Sequence, residues 1–282
     1  MASTGPTVRH RRLGRELRGL REKANLTLEM VATRLGWSTA KLSRIENART
    51  MPSGTDIANV CDLYGVDPST KAGLIQLGDD AGRRGWWTAY SDVFAGAYVG
   101  LESEATVIRT WEPLLIPGLL QNEDYARELI RTARPKLATA ELERYVAARM
   151  ARKISLLGSQ APTLHVLMDE CALRRPVGVP GVMARQLEDI LQVVNWSNVT
   201  IQVLPLRAGA HCGLEGAFSL LSFDAEDPDV GYTGCPGGDV YVEARDQVRN
   251  LKLTFERLAR MCLSPEESAA FIVAVRSDHA PL

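Results

Sequence analysis

The segment from Thr27 to Asn47 constrains this chain more than any other stretch. In LTLEMVATRLG, Thr27 stands where its hydroxyl can cap the first amides of a helix, and Leu26 with Val31 has the N′ to N4 spacing of a hydrophobic staple. Gly36 follows the last periodic position and supplies the left-handed turn that glycine adopts at low cost. The same device then repeats. Trp37 precedes the cap Ser38, and Leu42 lies four positions beyond that cap. Two short helices therefore meet at a tight glycine corner, the first presenting Val31, Ala32 and Leu35 inward, the second Leu42 and Ile45. Small Ala32 permits their close approach. A pair of this kind is the helix-turn-helix geometry, in which the second helix enters the major groove of DNA and the first crosses the backbone.

The flanks extend the helical pattern. Leu13, Leu17, Leu20 and Ala24 recur at helical spacing and leave Arg12, Arg15, Arg18 and Arg21 near water. Ser53 or Thr55 starts a helix carrying Ile57, Val60, Cys61 and Tyr64 and ending at Gly65, and Asp67 with Pro68 at the first helical position opens another. The expectation is an N-terminal all-α five-helix helix-turn-helix domain over residues 1–80. Charge agrees with a polyanionic partner at this end: residues 1–55 sum to +7, while the whole chain is -1.

With Leu42 and Ile45 buried, helical geometry turns Thr39, Ala40, Lys41, Ser43, Arg44 and Asn47 outward. Thr39 and Ala40 lie on the turn that penetrates the groove, where a methyl can touch thymine and a hydroxyl can bond either way. Lys41 and Arg44 can reach guanine or a flanking phosphate, and of the two only Arg44 can be bidentate. Thr27 and Ser38 are caps whose neighbouring amides also suit a phosphate. Arg49, like Arg9, Arg11 and Arg12, is either a phosphate contact or a solvated charge. Glu46, an acid on a DNA-facing helix, is read as the partner of an arginine on the first helix, Arg18 or Arg21. One such module covers only a few base pairs, so a homodimer on a double-stranded operator is expected.

GDDAGRRGWW, polar and glycine-rich, marks a linker region over residues 81–100, followed by a second domain at 101–282. In that domain YVGLESEATVIRTWEP reads as a helix, and Pro113, Pro117 and Gly118 break any regular helix beyond it. Asn122 caps the next helix, and Thr139 starts a long one through Leu157. Strands are expected at 163–168, 199–205, 217–223 and 239–244, with helices around Leu187, Phe255 and after the capping box of Ser264 and Glu267. The result is an α+β domain with a small sheet. The glycine-rich passage Val230 to Asp239 reads as a pocket cover or a mobile docking loop.

LTLEMVATRLGWSTAKLSRIENART resembles the Xre-type (Cro/cI-like) helix-turn-helix, with Leu28 where that family commonly has glutamine after the cap. WEPLLIPGLLQNEDYARELI, MDECALRRPVG, NVTIQVLP, AGAHCGLEGAFSLLSF and DVYVEA, in that order, resemble the C-terminal domain of WhiJ-like regulators of actinomycetes. This resemblance implies a transcription factor, antitoxin-like and often paired with a small acidic protein from an adjacent gene. A small-molecule effector is the other signal considered for the domain, with Trp86, Trp87, Trp111 and Trp196 as candidate walls.

No catalytic, cofactor or metal set is expected. His211 with Cys212, and Asp169 with Glu170, are the constellations that invite catalysis; the first reads as a turn at a strand entrance, the second as ion-pair partners of Arg174 and Arg175. Five scattered cysteines without C-x-x-C spacing fit a reducing compartment. The N-terminus lacks an apolar leader core and no stretch has membrane-span length, so a cytoplasmic protein without membrane contact is expected.

Overall fold

A computed structural model describes residues 8–82, 86–90, 92–94, 97–158, 160–224, 227–235 and 238–279. The chain divides into two compact units, Met1–Leu101 and Glu102–Leu282. Unit 1 holds α1 (Val8–Lys23), α2 (Leu28–Leu35), α3 (Thr39–Glu46), α4 (Gly54–Tyr64) and α5 (Pro68–Gly82). Leu13, Leu17, Ile45, Ile57, Val60, Cys61 and Leu74 form its buried core. Each boundary has a local cause. Ser53 and Asp56 make a reciprocal capping box at the start of α4, Gly65 closes that helix at φ +70°, and the Asp67 carboxylate accepts from the Ser69 and Thr70 amides ahead of α5. Past α5, Trp86 packs edge-on against Trp87, Tyr90 and Phe94 at 5.9 to 6.3 Å.

Unit 2 is α+β. Its helices are α6 (Tyr98–Glu104, which begins in unit 1), α7 (Glu123–Ala133), α8 (Thr139–Lys153), α9 (Glu170–Arg174), α10 (Val182–Val193), α11 (Arg245–Met261) and α12 (Pro265–Asp278). Its strands are β1 (Val107–Glu112), β2 (Thr163–Asp169), β3 (Val199–Leu204), β4 (Phe218–Ser222), β5 (Val230–Cys235) and β6 (Gly238–Val242), in the order β3-β2-β1-β4-β5-β6. The first three run parallel, with helices in both crossovers; β4, β5 and β6 form an antiparallel meander on the other side of β1. The β3 edge is closed by the lead-in to α12, where Val203 receives the Leu263 amide at 2.9 Å and donates to the Ser268 hydroxyl at 2.9 Å.

Three sequence expectations are corrected here. Val107–Glu112, expected to continue a helix, is the strand on which parallel and antiparallel halves meet. Its Val, Ile, Thr and Trp side chains favour an extended pleat, and its entry is pinned where the Thr106 amide donates to the Ser222 carbonyl and the Thr106 carbonyl accepts the Thr163 amide. The passage for which a mobile loop is one reading contains β5, whose glycines suit close packing: a Cβ on Gly231 would lie 2.6 Å from the Leu251 side chain. The long helix begun at Thr139 ends at Lys153, leaving Ile154 66% and Leu157 56% exposed.

The sheet face toward α11 carries a buried apolar core. Trp111, Leu167, Leu204, Phe218 and Leu220 meet Val248, Phe255 and Leu258 there. The fully buried Trp111 indole donates to the Gly213 carbonyl at 2.9 Å, and the His211 ring packs edge-on against it at 5.4 Å. His211 Nδ1 accepts the Gly213 amide at 3.2 Å while Nε2 lies 3.6 Å from Asp169, which also caps α9 through the Cys171 amide. Cys212 points elsewhere, to the Thr254 carbonyl. His211 is thus a clasp that folds the β3–β4 loop onto Trp111. Glu170 binds Arg174 and the Leu206 amide.

A Cβ on Gly213 would lie 2.6 Å from the indole Cε2 and Nε1. Gly213→Ala is therefore expected to destabilise unit 2 by about 1 to 3 kcal/mol, the usual cost of overpacking, measured by urea unfolding followed through tryptophan emission.

Candidate nucleic-acid interface

The corner between α2 and α3 forms as its residues require. Thr27 Oγ1 accepts the Met30 amide at 3.2 Å, Gly36 turns at φ +68°, the Trp37 amide returns to the Ala32 carbonyl at 2.8 Å, and Ser38 Oγ accepts the Lys41 amide at 3.1 Å. At the far end of α3 the Asn47 side-chain amide donates to the Ser43 carbonyl at 2.8 Å, and Ala48 takes the left-handed conformation at φ +51°.

The inner side of α3 is locked. Leu42, Ile45 and Glu46 are buried, and the Glu46 carboxylate, 3% exposed, takes a two-pronged ion pair from Arg21 of α1: Nε to Oε1 at 2.7 Å and Nη2 to Oε2 at 2.9 Å. Arg21 Nη1 reaches on to the Leu26 carbonyl at 2.8 Å, so one side chain ties α1, the entry to α2, and α3 together. Of the two arginines proposed from sequence, Arg21 makes this contact, whereas Arg18 pairs with Glu22 on its own helix. The bond to Glu46 holds the Arg21 guanidinium above its ordinary pKa. Backbones approach closely here too: a Cβ on Gly14 would lie 2.7 Å from the Glu46 carbonyl oxygen and 2.9 Å from that of Ile45.

The outer side is open. Ser38, Thr39, Ala40, Arg44, Asn47 and Arg49 are exposed, as is Thr27 on the neighbouring helix entry, while Ser43 is half-buried. Lys41 differs: its ammonium bonds Asp56 Oδ1 at 2.7 Å and stacks over the Trp37 ring at 3.8 Å from the centroid. Burial alone would raise the Asp56 carboxyl, but bonds from Lys41 and from the Ser53 amide and hydroxyl hold it below the ordinary value. Asp56 was not among the residues singled out from sequence. The S-x-x-D spacing from Ser53 to Asp56 flags its capping role, but its contact with Lys41 spans fifteen residues and depends on how α3 meets α4.

Comparison with known proteins divides the chain in a similar way. A family model described as a helix-turn-helix domain matches residues 12–74, and one described as a domain of unknown function (DUF5753) matches residues 95–274. No curated protein and no solved structure gives a significant match. No helix among the described residues is long and apolar enough to cross a membrane.

Removing one member of a buried ion pair leaves the other charge uncompensated. Glu46→Gln is expected to cost unit 1 about 3 to 5 kcal/mol, read as lost hydrogen-exchange protection of α1 and α3, and Arg21→Met combined with Glu46→Leu to restore most of it.

Proposed function

We propose that this chain, which belongs to the DUF5753 family, is a sequence-specific DNA-binding regulator of the Xre type that inserts α3 into the major groove of a double-stranded operator. The observation that carries this reading is the division of α3 into a locked inner side and an open, hydrogen-bonding outer side. A helix held from behind at two points can enter a groove without losing its orientation, which base readout requires.

On this reading Thr39 and Ala40 enter first and offer a hydroxyl and methyl groups to base edges, and Arg44 supplies the guanidinium that fits guanine O6 and N7. Ser43 and Asn47 border the same track. Thr27, Ser38 and Arg49 grip phosphates and set the register. Lys41, engaged by Asp56 and Trp37, acts at the border of the groove and exchanges its carboxylate for a phosphate on docking.

The short recognition helix supports a homodimer, since a second copy one helical turn along the duplex doubles the sequence read. Unit 2 is the half that receives a signal, from a small molecule or a protein partner. Its likeness to WhiJ-like, antitoxin-like regulators belongs to this proposal, as does cytoplasmic location.

The test is fluorescence anisotropy of the full chain on its own promoter fragment over a range of salt. Arg44→Ala is expected to weaken operator binding by about 1 to 3 kcal/mol and to relax preference at one base position. Equal weakening on every sequence would reduce Arg44 to a phosphate contact, and binding that is indifferent to both salt and Arg44 would overturn the reading.

A further inference from the structure

On the sheet face opposite α11, four hydroxyl side chains lie in register across four strands: Thr110 of β1 opposite Ser219 of β4, Ser219 opposite Tyr232 of β5, and Tyr232 opposite Tyr241 of β6. Thr110 and Ser219 are buried and bond each other at 3.0 Å, and the two tyrosine rings lie 5.5 Å apart. The same row continues through β2 and β3 as Val166 and Ile201, so the polar stretch is confined to one half of the sheet. Glu112 follows Thr110 on that face, two residues along β1.

Helix α8 brings two guanidiniums to this face. Arg152 makes a bidentate pair with Glu102, at 2.8 and 2.7 Å. Arg149, three residues earlier, has one hydrogen bond among the described residues, from Nη1 to Gln121 Oε1 at 2.7 Å, although a guanidinium carries five N–H donors. Space at both is kept by Gly118, whose Cβ would lie 3.1 Å from Arg152 Nη1 and 3.4 Å from Arg149 Nη1.

Burial pushes the Glu112 carboxyl up to about 7 against the pull of Arg152 and Arg149, and burial together with Arg152 brings the Arg149 guanidinium down to about 10. Both residues nevertheless keep intermediate exposure. This face thus carries a cluster of three ionisable side chains, Glu112, Arg149 and Arg152, that solvent still reaches. Ionisable groups are costly to place there unless something needs them, and the apolar half of the same row shows that the fold does not.

We propose that this cluster binds a small molecule through one oxyanion, a carboxylate or a phosphate, with Arg149 as its anchor, the hydroxyl row beside it and Glu112 as a proton-linked neighbour. As the effector site of a regulator it rests on the function proposed for the whole chain; as an anion site it stands alone. The groups facing Glu112 are Arg149 and Arg152 of α8, Thr110 of β1 and Tyr125 of α7, with Glu102 neutralising Arg152 and Arg134 adding to the positive field at Arg149. An ionised Glu112 repels the incoming anion, so binding takes up a proton and weakens as pH rises through about 7.

Isothermal titration calorimetry of the full chain with acetate and, separately, with inorganic phosphate, each at pH 6 and pH 8, tests this and tells the two anion sources apart. Saturable binding of at least one anion is expected, tighter at pH 6. Arg149→Gln should weaken it about tenfold or more, through loss of a charge-assisted bond. Gly118→Leu, which fills the space and alters no charge, should weaken it too, so the outcome does not hang on whether one variant folds. Glu112→Gln should still bind but with a smaller pH dependence than the wild-type chain, a comparison in which phosphate's own ionisation cancels. Failure of both anions to bind at about 20 mM, where even a weak charge-assisted contact is populated, or unchanged binding in Arg149→Gln, overturns the proposal. The titration contains no DNA, so its failure and a failure of operator binding are separate results.

Discussion

The buried pair between Arg21 and Glu46 is the interaction on which the presentation of α3 depends. Its two parallel bonds fix the guanidinium plane against the carboxylate, and a third bond to the Leu26 carbonyl extends the hold to the entry of α2. Where Gly14 lets α1 close on the last carbonyls of α3, the contact is backbone on side-chain-free backbone. An apolar pair of equal volume would supply comparable stability but little angular definition. A helix that must meet base edges needs the angle, and this gives a reason for keeping charges beneath it.

Unit 2 solves a different problem around β1. Parallel neighbours on one side and antiparallel ones on the other make it the point where the two halves of the sheet meet. Its alternate side chains serve the two faces separately: Trp111 faces the apolar core under α11, while Thr110 and Glu112 face the polar side near α8. One strand therefore contributes both to the apolar core under α11 and to the row of hydroxyl side chains on the other face. The β3–β4 loop shares this economy, since His211 and the Gly213 carbonyl hold it onto the Trp111 indole.

What is legible in the sequence is what is local. The caps Thr27, Ser38, Ser53, Asn122 and Ser264, and the left-handed glycines Gly36 and Gly65, act within four residues of themselves and appear where their spacing puts them. The α+β class comes from the same signals. β1 reads as helix because its strand partners lie more than fifty residues away, and helical spacing upstream masks a β-branched run. β5 escapes sequence reasoning because its glycines, read as punctuation, serve close packing instead. For α3, the exposed face is readable from periodicity, while the capture of Lys41 by Asp56 depends on tertiary approach that no spacing encodes.

The most direct measurement of the central claim, that α3 enters the major groove, is methylation interference on operator DNA bound by the full-length chain. The account predicts that methylation of guanine N7, which lines the major groove, blocks binding at two clusters about one helical turn, roughly 34 Å, apart. Interference confined to adenine N3 in the minor groove, or none at any base, would contradict it.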